Sequence, residues 1–161
     1  MTATYGKLAV GRFEGQTKDS WYLQLQPHVA SRVKRIFPRS RGHRTGQLTI
    51  VITPETSKDL AWLMERWPLE ASDGTRRRLE LEVATYDALR EDVQLILDGT
   101  VPERPRPVPA VDTFRSYQEE AAAMAVTSGG LLLADDVGVG KTHSALAALT
   151  YEGRLPAVWV T

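Results

Sequence analysis

A dense run of prolines divides this chain into two parts. Residues 100–110 hold four of the nine prolines in the 161-residue sequence. Because proline lacks a backbone N–H and has a fixed φ, neither a helix nor a central strand forms across such a run. The composition is typical of an extended, semi-rigid linker. We therefore predict a domain over residues 1–99, a linker over residues 100–110 and the start of a second domain over residues 111–161.

The overall composition indicates an ordinary globular protein, with 42% hydrophobic and 25% charged residues. No run reaches the roughly eighteen apolar residues that a membrane helix needs, and the N-terminus lacks the layout of a signal peptide. The absence of cysteine excludes a disulfide framework and thiolate metal sites. We expect a cytoplasmic protein, or a nuclear one in a eukaryote, that does not contact membranes.

The apolar pattern of residues 1–99 predicts an α+β domain. Alternating apolar residues predict strands at 8–13, 21–25, 47–53 and 79–83. Helical spacing and end signals predict helices at 29–37, at 58–67 with Ser57 as the cap, and at 85–99. Trp21, Trp62 and Trp67 offer flat surfaces for base stacking, but their alternating or helical spacing is more typical of core residues.

Positive charge is concentrated near the N-terminus, although the net charge of the chain is zero. Residues 1–46 carry +7 and the remaining residues carry −7. Contacts between cationic side chains and phosphates release counterions and need no sequence readout. The residues that we expect to contact nucleic acid in this way are Arg32, Lys34, Arg35, Arg39, Arg41 and Arg44. The alternative is an ordinary solvated helix and loop.

The order of helix and strand signals in residues 111–161 is typical of an α/β protein. We predict a helix at 114–127, a strand at 131–134, a helix at 141–150 and a strand at 157–161. The order strand, loop, helix, strand is half of a parallel α/β sheet. Because the chain stops on a hydrophobic strand without a solvated end, we expect the lobe to be incomplete.

A glycine loop joins the first of these strands to the following helix, with the sequence Gly138-Val139-Gly140-Lys141-Thr142. Glycines let backbone N–H groups turn inward around phosphate oxygens, and the helix start favours the same anion. Lys141 supplies a point charge for the phosphates, and the Thr142 hydroxyl is suited to Mg²⁺. The pattern predicts a nucleotide site, and the alternative is a glycine turn that merely begins a helix.

Two segments carry a resemblance to the Swi/Snf branch of superfamily-two helicases and translocases. Residues 131–142, LLLADDVGVGKT, resemble its motif I, an apolar strand followed by Ala-Asp-[Asp/Glu]-Met-Gly-Leu-Gly-Lys-Thr. Val137 and Val139 replace the methionine and leucine, and Asp135 stands where the general eight-residue phosphate-loop pattern has its first glycine. Residues 114–118, FRSYQ, resemble the family's Leu-Arg-Pro-Tyr-Gln motif with Ser116 for proline. Residues 157–161 resemble the strand that leads into motif Ia.

The resemblance implies the beginning of a RecA-like P-loop ATPase lobe that binds ATP and Mg²⁺. Gln118, with Arg115 and Tyr117, would seat the adenine, and Thr142 would hold the metal. The residues that would surround the phosphates are Val137, Gly138, Val139, Gly140, Lys141 and Thr142. The implied partners are nucleic acid, as double-stranded DNA, and the remainder of a helicase core.

The intact protein would couple ATP hydrolysis to movement on nucleic acid. These 161 residues contain neither the family's Asp-Glu-x-His motif nor a second lobe with arginine fingers. We therefore expect the chain alone to lack hydrolytic activity. Two other functions stay open: a non-catalytic nucleic-acid or protein interaction module with a relic ATPase segment, and another P-loop enzyme such as a small kinase, which the Tyr-Gln motif disfavours.

Overall fold

The computed structural model describes residues 4–12, 18–44, 46–100, 114–134 and 138–149, except for the side chains of residues 43 and 44. The chain divides into two compact units, Met1–Asp87 and Ala88–Thr161. Most of the predicted linker, residues 101–110, and the strand predicted at 157–161 lie outside the described residues. The predicted domain boundaries therefore stay a prediction.

The N-terminal unit is built on a mixed β-sheet. Its described strands are β1 (Gly6–Gly11), β2 (Ser20–Leu25), β3 (Arg41–Arg44), β4 (Gln47–Val51) and β5 (Glu70–Ala71). Their order in the sheet is β3-β4-β2-β1-β5, and all neighbours are antiparallel except β5, which runs parallel to β1. Trp21, Leu23 and Leu25 alternate with more exposed neighbours, so the period-two prediction for β2 is confirmed.

Three helices accompany this sheet: α1 (Pro27–Ile36), α2 (Pro54–Arg66) and α3 (Asp73–Leu97), whose residues from Ala88 onward belong to the C-terminal unit. Val29 and Val33 of α1 and Leu60 and Leu63 of α2 are fully buried in one cluster with the strand side chains. Burial of a side chain of this size contributes about 1.5 to 3 kcal/mol. The unit therefore has a hydrophobic core of its own.

The prediction that Ser57 caps α2 is wrong, because Thr53 does so. The Thr53 hydroxyl accepts a hydrogen bond from the Thr56 backbone N–H at 3.2 Å, and the Thr56 hydroxyl accepts one from the Thr53 N–H at 3.0 Å. Pro54 then occupies the first helical position, where its missing N–H costs nothing. Ser57 lies inside the helix, fully buried, and accepts a hydrogen bond from the indole Nε1 of Trp21 at 3.0 Å.

The strand predicted at 79–83 is also wrong, because these residues lie within α3. Leu79 is buried in the core and Val83, one turn later, packs against it, whereas Leu81 is 59% exposed. A strand would place all three side chains on one face. The Ser72 hydroxyl accepts a hydrogen bond from the Thr75 N–H at 3.3 Å and so caps the start of the helix. The helix predicted at 85–99 is the second half of this element.

The C-terminal unit contains α4 (Ser116–Ser128) and α5 (Lys141–Leu149) in addition to the end of α3. Ala122 and Ala147 are fully buried and form a small apolar cluster with partly buried neighbours. Gly129 ends α4 in a left-handed conformation, with φ of +75°, so the predicted helix end is confirmed. Of the helices described, none combines the length and the apolar character that spanning a bilayer requires.

Residues 131–134 were expected to form a strand, and that prediction is wrong for the structure as described. They belong to no strand, and Leu132 is 90% exposed. A strand exists through its hydrogen-bonded ladder to a neighbour, and the described residues of this unit supply no neighbouring strand. The RecA-like lobe therefore stays a prediction.

Candidate functional site

The glycine loop and the start of α5 have the backbone geometry of an anion site. Gly138 and Gly140 have φ of +93° and +86°, in the left-handed region that favours glycine. The Gly140 carbonyl accepts hydrogen bonds from the N–H groups of His143 at 2.8 Å and Ser144 at 3.2 Å, which are the first bonds of the helix. The start of a helix presents N–H groups without intrahelical partners, and its dipole favours negative charge.

Two polar side chains occupy the first turn of α5. Lys141 is partly buried and Thr142 is exposed. No group of three or more His, Asp or Glu side chains in the described part of the chain is arranged to hold a metal ion. Mg²⁺ at Thr142 would therefore take its other ligands from phosphate oxygens and water, as is usual for this ion. Val137, the first loop residue expected near phosphate, lies outside the described residues.

The start of α4 lies against this loop through Gln118. The Gln118 side chain is buried, and its Oε1 accepts a hydrogen bond from the Arg115 N–H at 3.0 Å, which caps the helix. Its Nε2 lies 2.8 Å from the position that a Cβ would take on Gly140. A Cβ at Gly140 would therefore require the end of the Gln118 side chain to shift. The structure brings together the two segments in which the sequence analysis places the adenine and phosphate contacts.

Tyr117 makes a contact that the sequence did not indicate. Its hydroxyl donates a hydrogen bond to the Val139 carbonyl oxygen at 2.7 Å. The Arg115 guanidinium donates to the same hydroxyl oxygen at 3.4 Å. The Tyr117 hydroxyl therefore contacts the glycine loop. No sequence signal marks this pair, because it joins residues 22 positions apart.

An open cleft of about 500 Å³ adjoins the loop. Its described lining is mostly apolar and comes from α4, from residues 131 and 133 and from Val139. Lys141 and Thr142 are not among these lining residues, so the cleft is distinct from the loop's charged end. Tyr117 and Val139, which are hydrogen-bonded to each other, both line it.

The N-terminal unit carries exposed positive charge, as expected. We use the name basic surface for five exposed residues of α1, the following turn and β3: Arg32, Lys34, Arg35, Arg39 and Arg41. Arg44 lies in β3, but its side chain is outside the described residues. The sequence has no acidic residue between Asp19 and Glu55, and none of the ion pairs in the described part of the chain involves the basic surface.

Trp67 extends the basic surface to the end of α2. The guanidinium carbons of Arg32 and Arg66 lie 5.6 and 5.5 Å from the centroid of the Trp67 ring, within cation–π range. The pairing of Arg32 with Trp67 could not be predicted from the sequence, because it joins two separate elements. Arg66 directly precedes Trp67 in the sequence and was missed. Among the other tryptophans, Trp21 is fully buried, which confirms its core prediction, whereas Trp62 is 58% exposed and its core prediction is wrong.

The two candidate sites belong to different units. The glycine loop and the start of α4 lie in the C-terminal unit, and the basic surface lies in the N-terminal unit. Comparison with known proteins gives neither a family nor a relative: no family model, curated protein or solved structure matches this chain.

Proposed function

We propose that this chain binds ATP and Mg²⁺ through residues 138–142 and Gln118, as part of a Swi/Snf-like, ATP-dependent DNA translocase or helicase. The observation that carries the proposal is the contact between Gln118 and Gly140. The two segments that resemble family motifs, well separated in sequence, meet in space. A glycine turn that began a helix by chance would have no reason to meet the second segment.

Each residue of the loop has a task in this proposal. The N–H groups at the start of α5 and the Lys141 ammonium bind phosphate oxygens, and Thr142 binds the metal ion. Mg²⁺, when bound, neutralises charge on the phosphate oxygens. Gln118, which lies against Gly140, belongs in this proposal to the segment that contacts the adenine.

ATP binding by the purified chain tests this proposal directly, by calorimetry with Mg²⁺ present. Lys141→Ala removes a charge-assisted hydrogen bond worth about 1.5 to 3 kcal/mol, so we expect the Kd to rise at least tenfold. The matched control is Lys18→Ala, which removes an exposed lysine of the N-terminal unit. Equal affinities in the wild type and Lys141→Ala would reject the site.

Hydrolysis gives a second readout from the same proteins. The sequence contains no Asp-Glu-x-His motif, so the groups that activate water and stabilise the transition-state charge are missing from these residues. We expect the chain to bind ATP with no more turnover than Lys141→Ala. Turnover well above that variant would show that these residues hold a catalytic group that the proposal does not include.

A second function, contact with the phosphates of duplex DNA, is favoured by the basic surface, for which the described residues supply no ion pair. Neutralising each additional phosphate steepens the fall of log K with log salt concentration by about 0.9. Arg35→Ala/Arg39→Ala should therefore weaken binding and lower that slope by about 1 to 2. Arg77→Ala/Arg90→Ala, on exposed positions of α3, is the charge-matched control. Salt-independent binding, or equal slopes in the two double variants, would exclude this function.

A further inference from the structure

We infer that Tyr117 is a positioning residue of the phosphate loop, whose hydroxyl holds the Val139 carbonyl and thereby orients the Gly140 N–H. This inference rests on the proposed function. It gives Tyr117 a role different from the adenine contact that the resemblance implies. Two contacts join the start of α4 to the loop, and a third, within the start of α4, supports them.

The first contact orients a peptide group. The peptide between Val139 and Gly140 is planar and trans, so its C=O and N–H point in opposite directions. The Tyr117 hydroxyl donates to the Val139 oxygen at 2.7 Å, and this bond therefore directs the Gly140 N–H away from Tyr117. A phosphate loop binds anions with such N–H groups.

The anchor matters because the local sequence leaves the orientation of this peptide group open. Gly138 and Gly140 flank Val139, and both have left-handed φ values. Glycine populates positive and negative φ almost equally, so the local sequence alone does not select one orientation of the peptide. A hydrogen bond from outside the loop supplies that selection.

The second and third contacts support the anchor. The Arg115 guanidinium donates to the Tyr117 hydroxyl oxygen at 3.4 Å, and hydrogen bonds in such a chain polarise and strengthen one another. The neighbouring Gln118 caps α4 through the Arg115 N–H and lies against Gly140. Adjacent side chains of α4 thus contact adjacent residues of the loop.

Tyr117→Phe tests the inference because it removes only the hydroxyl. The probes are Mg²⁺–ATP, inorganic tripolyphosphate and adenosine, with Kd measured for each. We expect ATP and tripolyphosphate to bind about fivefold more weakly, the loss of one net hydrogen bond, and adenosine to bind unchanged. In the nucleotide-free protein, amide hydrogen exchange over residues 138–142 should become faster. The matched control is Tyr86→Phe, which removes a hydroxyl from α3 in the N-terminal unit.

The outcomes separate this inference from the proposed function. If Tyr117→Phe changes neither exchange in the loop nor tripolyphosphate affinity while Lys141→Ala still loses ATP, the inference is wrong and the ATP site stands. If Tyr117→Phe binds adenosine more weakly and tripolyphosphate as well as the wild type does, Tyr117 contacts the base and the inference is again wrong. If the wild type binds neither ATP nor tripolyphosphate, the proposed function fails and the positioning role fails with it.

Discussion

Trp21 and Ser57 form a buried polar pair at the centre of the N-terminal unit. Both are fully buried, and the indole Nε1 donates to the serine hydroxyl at 3.0 Å. Ser57→Ala would leave the indole N–H without an acceptor, which costs about 1 to 3 kcal/mol in the free energy of unfolding. Urea denaturation followed by tryptophan fluorescence measures this. Ser31→Ala, at an exposed serine of α1, is the control and should change stability by less than about 0.5 kcal/mol.

The two loop glycines differ in their surroundings, and this difference predicts an order of effects. Alanine at either position carries the strain of a left-handed residue, about 1 to 2 kcal/mol. At Gly138 a new Cβ meets nothing within 4 Å, whereas at Gly140 it meets Gln118 Nε2 at 2.8 Å. ATP affinity should fall further in Gly140→Ala than in Gly138→Ala, and should stay unchanged in the control Gly130→Ala. The reverse order would show that Gln118 does not lie against the loop.

Two leucines of α3 test whether residues 79–83 form a helix, as in the structure, or a strand, as their alternating pattern predicts. Leu79 is 8% exposed and Leu81 is 59% exposed. Leu79→Ala should lower the free energy of unfolding by about 2 to 4 kcal/mol, and Leu81→Ala by less than about 0.5 kcal/mol. In a strand the two leucines would share a face, and the two alanine substitutions would lower the free energy of unfolding by similar amounts. Comparable losses in the two variants would therefore contradict the helix.

Elements with one buried face and clear end signals could be predicted from the sequence. Strands β2 and β4, helices α1 and α4 and the start of α5 follow from apolar period and from glycine and proline positions. The helical state of residues 79–83 could not be predicted from the sequence. Apolar residues that alternate with glutamates over five positions fit a strand and a helix equally well. The basic residues of α1 and β3 were predicted, but the approach of Arg32 to Trp67 and the Tyr117 bond to Val139 depend on tertiary contacts between separate elements.

For the molecule as a whole, the two proposed activities should be separable by substitution. The basic surface and the glycine loop lie in different compact units. Lys141→Ala should weaken ATP binding at least tenfold and leave the duplex DNA Kd and its salt slope unchanged. Arg35→Ala/Arg39→Ala should weaken duplex DNA binding, lower its salt slope and leave ATP binding unchanged. Both variants should retain the wild-type melting temperature. Loss of both activities in one folded variant would argue against two independent sites.

The sheet of the N-terminal unit leaves two edges, and each has a feature that discourages pairing with another chain. On one side, the two-residue strand β5 is too short to offer a long ladder, although it pairs with only Lys7 and Leu8 of β1. The β3 edge carries exposed Arg41, and charge on an edge strand resists edge-to-edge association. Cations that we propose to meet phosphates therefore also keep copies of the protein apart. Replacing Arg41 with an uncharged β-former would weaken DNA contact and promote self-association in the same step.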